Sequence, residues 1–154
     1  MKIKTLNSLE LLDFQPNRYP FLMIDYVTKV KPGVFAEGFK NFTNNEWFFP
    51  IHFPGHPNVP GALQLEALAQ MLTVAITTLP GNKGKVTHAI SHEVKFKKEI
   101  LPGDKLVIKT KVTSWKRGIC KGVGKGYTNN ELACEADMTI TIPEILEKFF
   151  PKKK

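Results

Sequence analysis

The longest apolar segment of the chain is PGALQLEALAQMLTVAITTLPG, residues 60–81. Its opening proline, Pro60, suits the first turn of a helix, because the missing N–H would be unpaired there anyway. A second proline-glycine pair, Pro80 and Gly81, predicts that the helix ends near Leu79. Apolar side chains fall on nearly every side of this helix, which indicates burial on all sides. The rest of the 154-residue chain must therefore wrap around it.

The second half of the chain shows the alternation of apolar and polar residues that is typical of strands. We predict four of them, over residues 86–97, 105–115, 118–128 and 131–142. The last is the clearest, since alternation is unbroken from Leu132 to Ile142. Three alternating glycines, Gly122, Gly124 and Gly126, would let their strand curve or approach a helix closely.

The first third of the chain supplies a short helix and a hairpin. Ser8 is the predicted cap of a helix that ends near Phe14. Residues 21–30 and 34–42 read as two strands joined by a turn at Pro32. The order is helix, two strands, long buried helix and four strands. It predicts an α+β fold of the hot-dog type, with an antiparallel sheet around one central helix; a doubly wound α/β fold is disfavoured because strands and helices do not alternate.

Composition predicts a single domain over residues 1–154, with a frayed basic tail at residues 151–154. No apolar run is long enough to span a bilayer, so we expect no membrane insertion. Cys120 and Cys134 lack CxxC spacing, and we expect buried thiols in a reducing cytoplasm. The net charge of +8 favours an acidic partner, either nucleic acid, an anionic membrane surface or an acidic protein. A merely solvated basic surface is the alternative.

One carboxylate interrupts the apolar helix, at Glu66, and Gln70 follows one turn later on the same face. Desolvation disfavours the charged form of a carboxyl group, so this acid is suited to proton transfer near neutral pH. The alternative is that Glu66 emerges at the edge of the helix and pairs with a lysine.

The loop before the helix carries two histidines, His52 and His56, among three prolines that stiffen it. Such a loop can hold a histidine over the helix start as an aligned base. The free N–H groups near Gly61 would stabilise an oxyanion there. A metal site of His52, His56 and Glu66 is the competing interpretation, but histidines in a proline-rich loop do not match the usual helical HExxH pattern.

The motif HFPGHPNVPG, followed by LQLEALAQ, resembles the signature of bacterial 3-hydroxyacyl-[acyl-carrier-protein] dehydratases of the FabZ type. These are hot-dog proteins of fatty acid synthesis. The resemblance extends over most of the chain, since three further segments are similar to family segments in the same order. These are RYPFLMID at residues 18–25, NFTNNEWFF at residues 41–49 and VKFKKEILPGDKL at residues 94–106.

The resemblance implies a role for each matching residue. His52 would be the catalytic histidine that removes a proton from C2, and Glu66 the catalytic acid that protonates the departing hydroxyl. Gly61 would offer its N–H to the thioester carbonyl, and Gln70 would help to bind and position the substrate. The family needs no metal and no organic cofactor. Its members form dimers in which both subunits complete each site, and three dimers often assemble further.

The resemblance also implies an acidic acyl carrier protein as the partner, rather than nucleic acid. Lys97 and Lys98 stand where the family has two arginines, and are the expected contacts of the carrier.

Four positions depart from the family pattern. Ile51 replaces a glycine before the catalytic histidine, Glu99 replaces a proline, His88 falls near an aromatic position and His92 near an aspartate position. Three alternatives therefore stay open: a hot-dog thioesterase, a dehydratase that also isomerises the double bond, and a non-catalytic module that binds acyl chains or their carrier. Isomerising relatives typically carry aspartate at the position of Glu66, which argues mildly against the second.

Overall fold

The computed structural model of the chain describes residues 2–150, so the predicted tail at residues 151–154 lies outside the described residues. The elements follow in chain order. They are β1 (Lys4–Leu6), α1 (Ser8–Leu11), β2 (Tyr26–Lys31), β3 (Phe35–Asn41), α2 (Gly61–Thr77), β4 (His88–Phe96), β5 (Lys105–Lys116), β6 (Ile119–Thr128), β7 (Glu131–Thr141), α3 (Pro143–Leu146) and a 3₁₀ turn (Glu147–Phe149).

The strands form one seven-stranded sheet in the order β1-β2-β3-β5-β6-β7-β4, and neighbouring strands are antiparallel. The sheet curls around α2, which contacts strands β2, β3, β5, β6 and β7. This arrangement confirms the α+β prediction of an antiparallel sheet around one long central helix. No helix within residues 2–150 is long and apolar enough to cross a bilayer.

Burial alternates along β5, β6 and β7, with the inward side chains packed on α2. The glycines of β6 allow that contact. A Cβ atom on Gly122 would lie 2.5 Å from Leu72 Cδ1, and one on Gly124 would lie 3.2 Å from Leu68 Cβ. The predicted close approach of the glycine strand to the helix is therefore confirmed.

The burial of α2 is less complete than predicted. Its C-terminal turns are buried on all sides, whereas Ala62 is exposed and Glu66 is half-buried. The sheet closes around the later turns only, so the first turns keep a side that the described residues do not cover.

The cap of α1 was predicted wrongly. Asn7 is the N-cap: its Oδ1 accepts hydrogen bonds from the N–H groups of Leu9 (2.9 Å) and Glu10 (3.0 Å). Glu10 Oε2 in turn accepts from the Asn7 N–H at 2.9 Å, which completes a capping box. Ser8 becomes the first residue of the helix, which ends at Leu11 rather than near Phe14.

The first strand of the predicted hairpin begins late, at Tyr26 rather than at residue 21. The preceding segment is instead bonded to the side chain of Gln70 in α2, through the Met23 N–H (2.8 Å) and the Phe21 carbonyl (2.8 Å). A segment held by a helix side chain has no strand partner there. Strand β1 and helix α3 were missed because each is very short.

One edge of the sheet is β4, whose strand neighbour is β7. Its exposed side chains include two large apolar ones, Ile90 and Phe96, which are 52% and 49% exposed.

The two cysteines, Cys120 in β6 and Cys134 in β7, are both buried free thiols, as predicted.

Candidate active site

The loop between β3 and α2 holds His52 in a defined orientation. Its Nδ1 lies 3.1 Å from the backbone carbonyl oxygen of Asn58, which can only accept a hydrogen bond. In the neutral ring Nδ1 therefore carries the proton, and Nε2 presents a lone pair. The ring is half-buried and stacks on Phe53, with centroids 4.2 Å apart. These contacts suit His52 to act as a general base.

The loop is closed by its own backbone. The N–H groups of Phe53 and His56 each donate to the carbonyl of the other, at 3.1 and 2.9 Å. At its end, the Val59 N–H donates to the Ile100 carbonyl at 2.8 Å, which ties the loop to the segment after β4. His56 Nε2 lies 2.9 Å from Glu99 Oε1, and both side chains are exposed. His56 thus belongs to the outer surface of the loop.

Helix α2 begins at Gly61 without a side-chain cap. The first backbone bonds of the helix come from Leu63 and Gln64 to the Pro60 carbonyl, at 2.9 and 3.1 Å. Within residues 2–150, the N–H of Gly61 has no recorded hydrogen-bond partner. A Cβ atom at this position would lie 2.8 Å from Phe96 Cζ. Glycine therefore lets the Phe96 ring pack against a helix start that has a free donor.

Two amide groups hold the carboxyl of Glu66. Gln70 Nε2 donates to Glu66 Oε1 at 2.8 Å, and Asn17 Nδ2 donates to the same oxygen at 3.3 Å. Within residues 2–150, Oε2 has no hydrogen-bond partner and is available to carry a proton. The sequence allowed an ion pair between Glu66 and a lysine, but the partners of the carboxyl group are two amides.

Gln70 is itself fully engaged. Its second amide hydrogen goes to the Phe21 carbonyl, and its Oε1 accepts from the Met23 N–H. The side chain is buried and links the segment before β2 to Glu66. In this arrangement Gln70 supports the carboxyl group rather than presenting a free donor.

Glu66 lines a cavity of about 260 Å³ between α2, β4 and the segment after α1. Most of its other lining side chains are polar. They include Gln15, Asn17, Gln70, Thr73, Thr87, His88 and His92. Neither His52 nor Gly61 lines it. Within one chain, the structure therefore brings Glu66 and Gln70 together. His52 lies in the loop before α2, outside this cavity.

His92 is a lining residue with unusual surroundings. Its Nδ1 is buried and has no hydrogen-bond partner among residues 2–150. Burial lowers the pKa of His92, and the nearby carboxyl group of Glu66 opposes that shift. The imidazole is therefore favoured in its neutral form.

The two lysines predicted to contact a carrier lie just after β4. Lys98 Nζ is 2.7 Å from Glu131 Oε2, and Lys97 Nζ is 3.8 Å from Glu135 Oε1. Lys97 is exposed and has the looser ion pair. In the part of the chain that the structure describes, no three His, Cys, Asp or Glu side chains are grouped to hold a metal ion.

Sequence reasoning missed two contributors to the site. Asn17 lies 49 residues before Glu66, and nothing in its local sequence signals the contact. Phe96 was read only as a strand residue, although it follows the alternation of β4 toward the helix start.

Comparisons with known proteins agree over nearly the whole chain. A family model described as a FabA-like domain matches residues 15–137. The 3-hydroxyacyl-[acyl-carrier-protein] dehydratase FabZ of Alkaliphilus metalliredigens is 42% identical over 138 residues, or 89% of this chain and 94% of that protein. The protein of the same name from Clostridioides difficile is 40% identical over 140 residues, or 90% and 99% of the two chains.

A solved structure with a similar fold is the dehydratase heterocomplex ApeI:P from Xenorhabdus doucetiae. It has a TM-score of 0.76 and 13% identity, and the match covers 92% of this chain and 97% of that one. At this identity the likeness concerns the fold, and it confirms the hot-dog prediction.

Proposed function

Because this chain belongs to the family of 3-hydroxyacyl-[acyl-carrier-protein] dehydratases of the FabZ type, we propose that it dehydrates a (3R)-3-hydroxyacyl chain on an acyl carrier protein. The product is the trans-2-enoyl thioester, still on its carrier, and the reaction serves fatty acid synthesis in the cytoplasm. The proposal is supported mainly by one observation: the hydrogen bonds of two side chains suit one of them to accept a proton and the other to donate one. His52 presents an unprotonated Nε2, and Glu66 keeps one carboxyl oxygen free to carry a proton.

The chemistry divides between these two groups. His52 Nε2 removes the proton from C2, and the electrons of that C–H bond move toward the thioester carbonyl. The Gly61 N–H, at the helix N-terminus, stabilises the negative charge on the carbonyl oxygen. Glu66 then donates its proton to the 3-hydroxyl group as the C–O bond breaks, and water leaves. Transfer of the proton from His52 back to Glu66 restores both groups.

Gln70 and Asn17 act through Glu66. Both donate to Oε1, so they fix which carboxyl oxygen faces the substrate. Positioning of this kind lowers the entropy that the transition state must lose.

We propose that two copies of the chain complete each site. His52 is absent from the cavity that Glu66 lines, so a single chain presents the two groups separately. The free edge of β4 supports pairing with a second β4, because it carries exposed apolar side chains at Ile90 and Phe96. Such pairing would extend the sheet across a dimer. A trimer of these dimers rests on the family resemblance alone.

The partner in this proposal is an acidic carrier protein rather than nucleic acid. A net charge of +8 attracts an acidic protein at long range. Lys97 and Lys98 are the proposed contacts; Lys97 has the more exposed charge because its ion pair with Glu135 is long.

Ile51 stands where the family usually has glycine, and its surroundings support an enzyme rather than a non-catalytic module. Ile51 is 63% exposed, so most of its side chain faces solvent within the described chain. The hydrogen bond from His52 Nδ1 is kept although isoleucine stands where glycine is usual.

Turnover of a 3-hydroxybutanoyl thioester, on carrier protein and on pantetheine, tests the proposed roles. We expect His52→Ala and Glu66→Gln each to lower kcat by about 100-fold or more, since each removes one proton-transfer group. Circular dichroism and thermal unfolding should show a retained fold. His56→Ala, in the same loop but on its outer surface, is the matched control and should keep near-normal activity.

The products decide between the alternatives. Enoyl thioester with the carrier still attached supports dehydration, whereas free thiol would indicate a thioesterase. A shifted double bond would indicate an isomerising enzyme. Near-normal activity in either the His52 or the Glu66 variant would refute the assigned roles.

A further inference from the structure

A lysine is buried on the inner face of the sheet, at the end of β3 that leads into the loop of His52. Burial alternates along β3, and Lys40 falls on the inward side with Ala36 and Gly38. Only 11% of its side chain is exposed. Removing an ammonium group from water is costly unless the group is paired. The proposed dehydration assigns Lys40 no role, so its burial needs a separate reason.

Two carboxylates pair with Lys40. Its Nζ lies 3.2 Å from Asp25 Oδ1 and 3.1 Å from Glu46 Oε1. Asp25 is also bonded to the strand, because its Oδ2 accepts from the Asn41 N–H at 2.7 Å. The Glu46 side chain is 14% exposed, and within residues 2–150 Lys40 is its only recorded polar partner. The ion pair with Glu46 therefore joins the loop between β3 and α2 to the sheet.

Backbone hydrogen bonds connect Glu46 to His52. The Phe49 N–H donates to the Glu46 carbonyl at 3.3 Å, and the His52 N–H donates to the Phe48 carbonyl at 2.8 Å. Because these turns follow one another, a shift of Glu46 also shifts the backbone of His52. The Phe48 ring is buried and packs edge-on against Phe42, but apolar packing is not directional. The ion pair supplies the direction that this packing lacks.

We propose that the ion pair between Lys40 and Glu46 positions His52 for removal of the proton from C2. Both are positioning residues, because they act on His52 through the loop. The inference rests on the proposed function, which makes His52 the base. At its other end the loop is held by the Val59 N–H, which donates to the Ile100 carbonyl at 2.8 Å. The imidazole thus lies between an electrostatic anchor and a backbone anchor, and proton abstraction depends on such alignment.

Isosteric amides remove one ion pair of Lys40 at a time. Glu46→Gln neutralises the partner in the loop, and Asp25→Asn neutralises the partner beside the strand. The backbone ladder of β3 with β5 keeps Lys40 in place in both variants. Each variant leaves the cation one carboxylate, so both are expected to fold. Lys40→Met is a poorer test, because it leaves two carboxylates without their cation and can prevent folding.

Initial rates with a 3-hydroxybutanoyl thioester separate positioning from stability. We expect Glu46→Gln to lower kcat about tenfold and to change KM by less than about twofold, because misalignment of the base affects the chemical step and not binding. Asp25→Asn, the matched control, should keep kcat within about twofold of wild type. Rates are measured well below the unfolding transition of each variant, so that a loss of stability does not lower them.

Nitrogen NMR of the imidazoles reports the placement of His52 without turnover. The chain has 4 histidines, and the His52 signals are assigned by their absence in His52→Ala. In Glu46→Gln the His52 resonances should shift, while those of His88 and His92 on β4 should stay in place. In Asp25→Asn none of these resonances should move, although this variant also loses an ion pair.

Three results would overturn the inference: kcat within about twofold of wild type in Glu46→Gln, an equal loss of kcat in Asp25→Asn, or His52 resonances that do not respond to Glu46→Gln. Failure of the proposed function looks different. In that case the wild-type chain would not dehydrate 3-hydroxyacyl thioesters, yet the His52 resonances would still respond to Glu46→Gln.

Discussion

Asn17 and Gln70 donate to the same oxygen of Glu66, but the two amides differ in what else they hold. Gln70 also bonds the backbone at Phe21 and Met23, and it is buried. The Asn17 side chain has no other recorded hydrogen bond within residues 2–150. Substituting Asn17 should therefore affect only the proposed orientation of Glu66, whereas substituting Gln70 should also affect the stability of the fold.

We expect Asn17→Ala to lower kcat about tenfold and to leave the melting temperature nearly unchanged, because only the orientation of Glu66 is weakened. Gln70→Leu should lower both. It leaves the buried N–H of Met23 without a partner, at a cost of about 1–3 kcal/mol, and the partly buried carbonyl of Phe21 loses its donor. Initial rates and thermal unfolding of the two variants measure this split. An equal fall in melting temperature for both variants would contradict it.

The two cysteines should be inert in the folded protein. Burial raises the pKa of Cys120 to about 12 and that of Cys134 to about 11. At pH 8 we expect iodoacetamide to modify neither thiol in the native state and both in denaturant, because the thiolate is the reactive form. Rapid modification of the native protein would show that these thiols are accessible.

The same pKa shifts set a direction for stability at alkaline pH. A folded-state pKa raised above the unfolded value, about 8.5, stabilises the fold fully below that pH. The contribution is lost as pH rises toward about 11 for Cys134 and about 12 for Cys120. The free energy of unfolding should thus decline across this range, and Cys120→Ala should reduce the slope.

At the level of elements, the contact of β6 with α2 depends on the absence of side chains. A Cβ atom on Gly124 would lie 2.8 Å from Met138 Cε and 3.2 Å from Leu68 Cβ. The helix and the strand can approach this closely only because glycine stands at the contact.

We expect Gly124→Val to lower the free energy of unfolding by about 1–3 kcal/mol, the usual cost of overpacking a core. Urea denaturation measures it. The control is Lys121→Val, which adds the same side chain to the outer, exposed face of β6. Because valine favours strands, that control should be neutral or slightly stabilising. Unchanged stability in Gly124→Val would show that α2 can move away without cost.

At the level of the whole molecule, His52 does not line the cavity of Glu66 in the same chain, and this separation supports the proposal that two copies complete each site. If each site takes His52 from one copy and Glu66 from the other, two inactive variants can restore a complete site when they mix. The described chain, with β4 free at one edge of the sheet, is suited to such pairing.

We expect an equal mixture of His52→Ala and Glu66→Gln proteins, after subunit exchange, to regain about a quarter of wild-type activity. Half of the dimers are then mixed, and each mixed dimer has one intact site. Each variant alone is the control and should stay inactive. An inactive mixture, with exchange verified by mass spectrometry, would place both groups of a site in one chain.

Local periodicity was enough to predict the central helix and the four later strands, because burial on one face imposes a period on the residues that form it. Elements β5, β6 and β7 begin and end within a residue of the predicted bounds. The family could also be predicted from the motif around His52 and Glu66, because the resemblance depends only on which residues follow one another in the chain.

Contacts between residues distant in the chain could not be predicted from the sequence in this way. The segment from residue 21 has the composition of a strand, but two hydrogen bonds to Gln70 hold it across α2. Asn17 reaches Glu66 only through the path of the folded chain. The unpaired Nδ1 of His92 arises from what the fold places around it, and no local pattern encodes it. The order of residues thus determined the elements and indicated which residues are proposed to react, through local periodicity and side-chain chemistry. The tertiary structure alone decided how those groups are held, because hydrogen bonds and burial depend on neighbours that are distant in the chain.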